Sequence, residues 1–132
     1  MIRPVDRRRQ WHVVLPVKGG PEAKSRLVSN VDRESLALAI ALDCLEAARA
    51  STGVGSVAVV TADPDVATAV RAAGADVVPQ AGEGLLAAIR SGLGSAPPGP
   101  VAVLLADLPC LRPVDLYTAL AAVDAALDGG CP

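Results

Sequence analysis

Residues 56–79 read SVAVVTADPDVATAVRAAGADVVP. Ser56–Thr61 is a short β-branched run, the composition of a buried strand. Asp63 follows as a helix N-cap, with Pro64 in the first turn. Val66 and Val70 share one face. Asp65 sits near the positive end of the helix dipole and Arg71 near the negative end. Gly74 falls at the C′ position, and Asp76–Pro79 (DVVP) is a second short strand. Strand, helix and strand in this order make a βαβ unit, and such units build parallel sheets.

The same punctuation recurs on both sides. Trp11–Val17 (WHVVLPV) reads as an earlier strand, and Asp32–Ala50 as a long helix with Leu38, Leu42 and Leu45 on one side and Asp43, Glu46 and Arg49 on the other. Beyond the Gln80–Glu83 loop, Gly84–Gly92 reads as a helix with Leu85, Leu86, Ile89 and Leu93 on its apolar side. Ser95–Pro100 (SAPPGP) is a turn. Val101–Ala106 (VAVLLA) is the most apolar strand, and Pro113 opens a last helix with Leu116, Leu120, Val123 and Leu127 on one face. Four strand–helix units with right-handed crossovers predict an α/β fold, a Rossmann-like doubly wound parallel sheet in the order 3-2-1-4. In that order the chain reverses between the first and fourth strands, and ligands bind at the carboxyl ends of that pair.

Composition agrees. The 132 residues are 52% hydrophobic and 20% charged, enough for one packed domain. Aromatic residues make up 2%, with Trp11 and Tyr117 alone, which argues against base-stacking nucleic-acid modules. The longest uninterrupted apolar run, Leu36–Leu42, is far short of the ~20 residues of a membrane span. No secretory signal is expected at the start. Cys44, Cys110 and Cys131 are scattered and form no C-x-x-C pair, so free thiols in the cytoplasm are expected, with Cys44 a small core residue. His12 opens a strand with no evident partner and reads as structural.

Charge is uneven. Residues 1–26 carry seven basic groups against two acidic ones, and both lysines, Lys18 and Lys24, lie there. Arg7–Arg9 read as a solvated tail. Lys18, Lys24 and Arg26 lie in the loop after the first strand, K-G-G-P-E-A-K-S-R-L (18–27). The main-chain N–H groups of Gly19 and Gly20 can approach an anion closely, and the cations neutralise it. Asp107, in D-L-P-C-L after the fourth strand, faces this loop at the switch point. A carboxylate opposite a polyphosphate loop suits Mg²⁺, which takes one or two protein carboxylates plus phosphate oxygens. Taken alone, Asp107 reads better as a cap on the turn before the last helix; its place after an apolar strand, facing the only lysines, favours the metal reading. The loop is not a Walker A sequence, since residue 23 is alanine, and no G-x-G-x-x-G is present.

Together, Pro16-Val17-Lys18, Ala23-Lys24-Ser25-Arg26-Leu27 and Ala106-Asp107-Leu108-Pro109 resemble the guanylyltransferases of coenzyme F420 biosynthesis. These act on phosphoenolpyruvate or 2-phospho-L-lactate. They belong to the nucleotidyltransferase fold that includes molybdenum-cofactor guanylyltransferase. The resemblance runs from about Trp11 to Leu127. It implies that Leu15, Pro16, Val17 and Lys18 pass under the guanine and ribose of GTP, with Gly19 next to them in the nucleotide site. It implies that Lys24 and Arg26 hold the phosphates, that Asp107 binds Mg²⁺, and that Asp63, Gly84 and Leu85 border the base pocket. The implied partners are GTP and a small phosphorylated acid, with no nucleic acid or membrane.

Two features depart from that pattern. The family usually has Leu-Asn where this chain has Leu85-Leu86. Such enzymes also continue well past the fourth helix, with a second acidic metal ligand and the acceptor pocket. The expected organisation is a flexible basic tail over 1–10, an incomplete nucleotide-binding domain over 11–128 and a short tail over 129–132. The alternatives are a non-catalytic nucleotide-binding remnant, or a sister transferase acting on molybdopterin or a sugar phosphate. The sister family's loop reads closer to L-A-G-G-x-S-x-R-M-G. The fourth strand has a central strand's composition, so self-association through its edge is also expected.

Overall fold

Trp11–Pro16 forms β1 in a computed structural model that describes residues 10–18 and 30–130. All six of its residues are buried. The cause is position: β1 pairs in parallel with β2 (Val54–Thr61) on one side and β4 (Val101–Val103) on the other. β3 (Asp76–Pro79) pairs in parallel with the far edge of β2, giving the expected order β3-β2-β1-β4.

Right-handed crossovers decide which helix covers which face. The chain moves one way from β1 to β3, so α1 (Asn30–Ala50) and α2 (Pro64–Ala72) lie on one face. It then turns back to β4, which puts α3 (Leu85–Gly94) on the other face. α4 (Pro113–Ala125) returns to the first face and ends in a single π turn, Ala126–Gly130. The main core accordingly joins Val13, Leu15, Val57 and Val59 to Ala41, Cys44, Leu45 and Ala48 of α1, Val66 and Val70 of α2, and Leu116 and Leu120 of α4. Trp11 Nε1 donates to Asp124 Oδ1 at 3.2 Å, tying β1 to α4. The second core is small: Val14 and Val60 against Ala88 of α3.

The caps of α2 are those read from the sequence. Asp63 Oδ1 accepts from the amides of Asp65 (2.7 Å) and Val66 (3.3 Å). Gly74 follows the helix at φ +85°, a conformation that L side chains rarely adopt.

Several expectations need correction. The apolar side of α3 is not its leucine stripe: Leu85, Leu86 and Leu93 are exposed, while Ala88 and Gly92 are buried. Small residues are required because α3 lies directly on the sheet. A Cβ on Gly92 would stand 2.4 Å from Val14 Cγ1. In α4 only the first half of the stripe is buried; Val123 and Leu127 are exposed.

The fourth strand stops at Val103 and not at Ala106. Even-numbered residues of β1 face β4 with their backbone groups: His12 N donates to Pro100 O at 3.0 Å, and Val14 O accepts from Leu104 N at 2.9 Å. The next donor in that series would be residue 16, which is proline and has none. β1 continues beside β2, where Val17 N donates to Val60 O at 2.9 Å, while β4 parts from it.

His12 does have a partner. Its Nδ1 lies 2.6 Å from Ser56 Oγ across β1 and β2. Its Nε2 is buried without a hydrogen-bond partner among the described residues. Burial lowers the imidazole pKa below its usual 6.5, opposed in part by the charge of Asp76.

Candidate functional site at the carboxyl ends of the strands

Parallel strands bring their carboxyl ends to one edge of the sheet. Lys18 lies four residues beyond Val14, and Asp107 four beyond Val103, the residue paired with Val14. The two loops singled out by sequence therefore leave the sheet side by side from equivalent positions. Asp63 leaves β2 and Gln80 leaves β3 at the same edge.

The described candidate residues differ in what they can offer. Lys18 and Asp107 are exposed. Leu15 is fully buried with its side chain in the main core, so any ligand contact there is through the main chain. Pro16 and Val17 are buried as well. The Asp63 carboxylate serves as the cap of α2. Gly84, at φ +92°, opens α3 with no side-chain cap, so the first-turn amides of α3 receive no side-chain acceptor from that position. Leu85 is exposed beside it. Gly19, Gly20, Lys24, Ser25, Arg26 and Leu27 lie outside the described residues, as do Arg7–Arg9 and Cys131.

Three residues that sequence reasoning had not placed at this edge hold its loops. Gln80 Nε2 donates to the carbonyls of Gly82 (3.0 Å) and Gly84 (3.3 Å), which fixes the turn into α3. Ala81 N is held by Ser91 Oγ at 3.0 Å. Cys44, fully buried on α1, donates its thiol to Leu108 O at 3.3 Å. Burial raises the thiol pKa, with the charges of Asp107 and Asp43 adding to that shift and the Leu108 contact opposing it. Gln80 follows a strand directly, which is a usable signal in the chain. Cys44 and Leu108 are 64 positions apart, and nothing local in the sequence links them.

Just beyond this loop, Arg112 and Asp115 form an exposed ion pair at 2.9 Å that closes the N-terminus of α4. The hydrogen bonds from Arg112 lower the Asp115 pKa. Arg112 is thus engaged locally.

A hard divalent cation is compatible with the donor set at this edge. Asp107 supplies one exposed carboxylate on a loop beyond the sheet, and Mg²⁺ commonly takes a single protein carboxylate with phosphate oxygens and water. Among the described residues no group of three or more His, Cys, Asp or Glu side chains could enclose a metal by itself. The cleft of about 290 Å³ lined by Arg49, Ser56, Gly74 and Asp76 lies at the opposite, amino end of β2 and β3. No helix among the described residues is long and apolar enough to cross a membrane.

Known proteins share this architecture. The chain is 48% identical over 116 residues to a phosphoenolpyruvate guanylyltransferase of Salinispora arenicola, covering 85% of this chain and 54% of that protein. It is 45% identical over 128 residues to one from Streptomyces scabiei, covering 88% and 59%. The chain spans about half the length of the curated relatives it matches. Among solved structures, a CMP:2-keto-3-deoxy-manno-octonic acid synthetase complexed with CTP superposes with a TM-score of 0.71 at 23% identity, covering 90% of this chain and 49% of that one. Rv0371c from Mycobacterium tuberculosis superposes at 0.59 with 25% identity, covering 89% and 62%. The strand order agrees with the match of residues 31–130 to the MobA-like NTP transferase domain, and the chain belongs to that family.

Proposed function

We propose that this chain forms the nucleotide-binding part of a guanylyltransferase that transfers GMP from GTP to phosphoenolpyruvate with release of pyrophosphate. The observation that carries the reading is the pairing of β1 with β4, from which the K-G-G-P-E-A-K-S-R-L loop and Asp107 depart at equivalent positions. The guanylyltransferase relatives support the identity of donor and acceptor. The setting would be coenzyme F420 biosynthesis in the cytoplasm.

The chemistry needs no covalent protein intermediate. An oxygen of the acceptor phosphate attacks the α-phosphorus of GTP, and the bond to the bridging oxygen breaks to release pyrophosphate. Charge accumulates on the phosphate oxygens, so the protein contributes position and neutralisation. Lys24 and Arg26 hold the triphosphate, with Lys18 and Gly19 before them. Main chain of Pro16 and Val17 borders the nucleoside, and Asp63, Gly84 and Leu85 border the base. Asp107 would hold Mg²⁺, which supplies further neutralisation of the phosphates when bound.

Asp107→Asn preserves shape and removes the charge. Its Mg²⁺-dependent affinity for GTP is expected to fall by at least about tenfold, with an unchanged melting temperature. Titration calorimetry with and without Mg²⁺ reads this. A variant that binds Mg-GTP like the parent would refute the metal role and leave Asp107 as a turn residue. Pyrophosphate release with phosphoenolpyruvate against 2-phospholactate tests the acceptor.

A further inference from the structure

The loop that carries Asp107 has little regular structure to hold it. It leaves β4 after Val103 and enters α4 at Pro113. Pro109 restricts Leu108 to an extended backbone. The carbonyl of Leu108 then accepts two hydrogen bonds, one from Leu111 N at 3.4 Å and one from Cys44 Sγ at 3.3 Å. The first is local to the loop. The second comes from α1, whose Ala41, Cys44, Leu45 and Ala48 are packed in the main core. Cys44 is therefore a rigid post, and the carbonyl it grips belongs to the residue that follows Asp107.

α1 has a second relation to the site. It begins at Asn30, three residues after Leu27 ends the K-S-R-L sequence. One helix thus follows the basic loop in the chain and holds the acidic loop through Cys44.

We infer that Cys44 is a positioning residue for the metal site: its thiol, by donating to Leu108 O, sets where the Asp107 carboxylate stands. This rests on the reading of Asp107 as the Mg²⁺ ligand. The thiol touches neither metal nor nucleotide. A hydrogen bond that fixes the main chain next to a metal ligand acts, as one to the ligand itself does, on the affinity of the metal-bound state.

The test compares Cys44→Ala, which removes the donor, with Cys44→Ser, which keeps one. GTP affinity is measured with and without Mg²⁺, beside Asp107→Asn and thermal melting. Cys44→Ala is expected to lose about three- to tenfold in Mg²⁺-dependent affinity, because S–H is a weak donor and the loss falls at or below the usual second-sphere range. Its metal-free affinity should match the parent. Cys44→Ser should recover to within about twofold. Parental Mg-GTP affinity in Cys44→Ala, with a loss in Asp107→Asn, would overturn the inference and leave the metal reading standing. Equal losses with and without Mg²⁺ would assign Cys44 to packing alone and overturn it too. Parental behaviour of Asp107→Asn would remove the metal reading, and this inference with it.

Discussion

Gly92→Ala tests the close seating of α3 on the sheet. The new Cβ would lie 2.4 Å from Val14 Cγ1, 3.2 Å from Val14 Cγ2 and 3.1 Å from Val60 Cγ2. Both valines are fully buried, in central β1 and β2, so neither can swing aside into solvent. Relief requires α3 to rise from the sheet by about an ångström, which opens the contact between Ala88 and the two valines. With a contact as short as 2.4 Å against fully buried valines, the cost falls in the upper part of the overpacking range, about 2–3 kcal/mol. Replacing glycine inside a helix returns at most about 1 kcal/mol through propensity. The net expectation is a destabilisation of about 1–2 kcal/mol, or a fall in melting temperature of roughly 3–8 °C. Gly94→Ala is the control, since nothing stands within 4 Å of its Cβ; it should be neutral or slightly stabilising. Thermal and urea unfolding followed by circular dichroism read both. A Gly92→Ala protein as stable as the parent would refute the close seating of α3.

Three further outcomes are expected. Burial lowers the pKa of His12 below 6.5, so the unfolded chain binds more protons than the folded one just below that pH; the stability from neutral His12 is complete above 6.5 and is lost as pH falls through the window beneath it. Urea midpoints between pH 7.5 and 5.5 should therefore fall more steeply for the parent than for His12→Gln, and parallel curves would refute this. Val103 is exposed on β4, whose outer edge has no partner strand among the described residues, and Leu105 and Leu108 are exposed in the loop that follows, so the chain should self-associate in sedimentation and Val103→Lys should reduce it; a parent that sediments as a monomer would count against the edge. Lys24→Ala should weaken GTP binding more than guanosine binding, while Arg7→Ala leaves both unchanged at moderate salt; equal losses would point to diffuse electrostatics.

The elements were legible where a local rule governs them. Asp63 and Pro64 announce the start of α2, and Gly74 its end, because caps are chemistry between near neighbours. Strand order was legible because crossover handedness leaves few choices. The packing face of α3 was not: leucines at helical spacing suggested one side, yet the sheet accepts only Ala88 and Gly92. The sheet's demand for small side chains arises from Val14 and Val60, far away in the chain. His12 and Ser56 likewise meet only through the register of β1 on β2. At the site, the charge classes of Lys18 and Asp107 were readable, whereas the hold of Cys44 on Leu108 was not. A small apolar residue in a helix gives no sign of what its thiol will reach.

Pro16 joins these two levels. In the sequence it is one residue inside a β-branched strand, and proline in a central strand is normally disfavoured. Its position resolves the conflict. Odd-numbered amides of β1 bond to the β2 side, as Trp11 and Val17 do, so proline at an even position leaves that ladder intact. The missing donor faces β4, two residues past Val14, where a further bond would have kept β4 in register beyond Leu104. Without it the two chains part, and the residues between them and Asp107 leave the sheet. A crevice at a switch point arises in any doubly wound fold because neighbouring helices lie on opposite faces. Here one imino acid also ends the strand pairing at that place, so the loop carrying Asp107 starts earlier and depends on contacts such as that of Cys44 for its position.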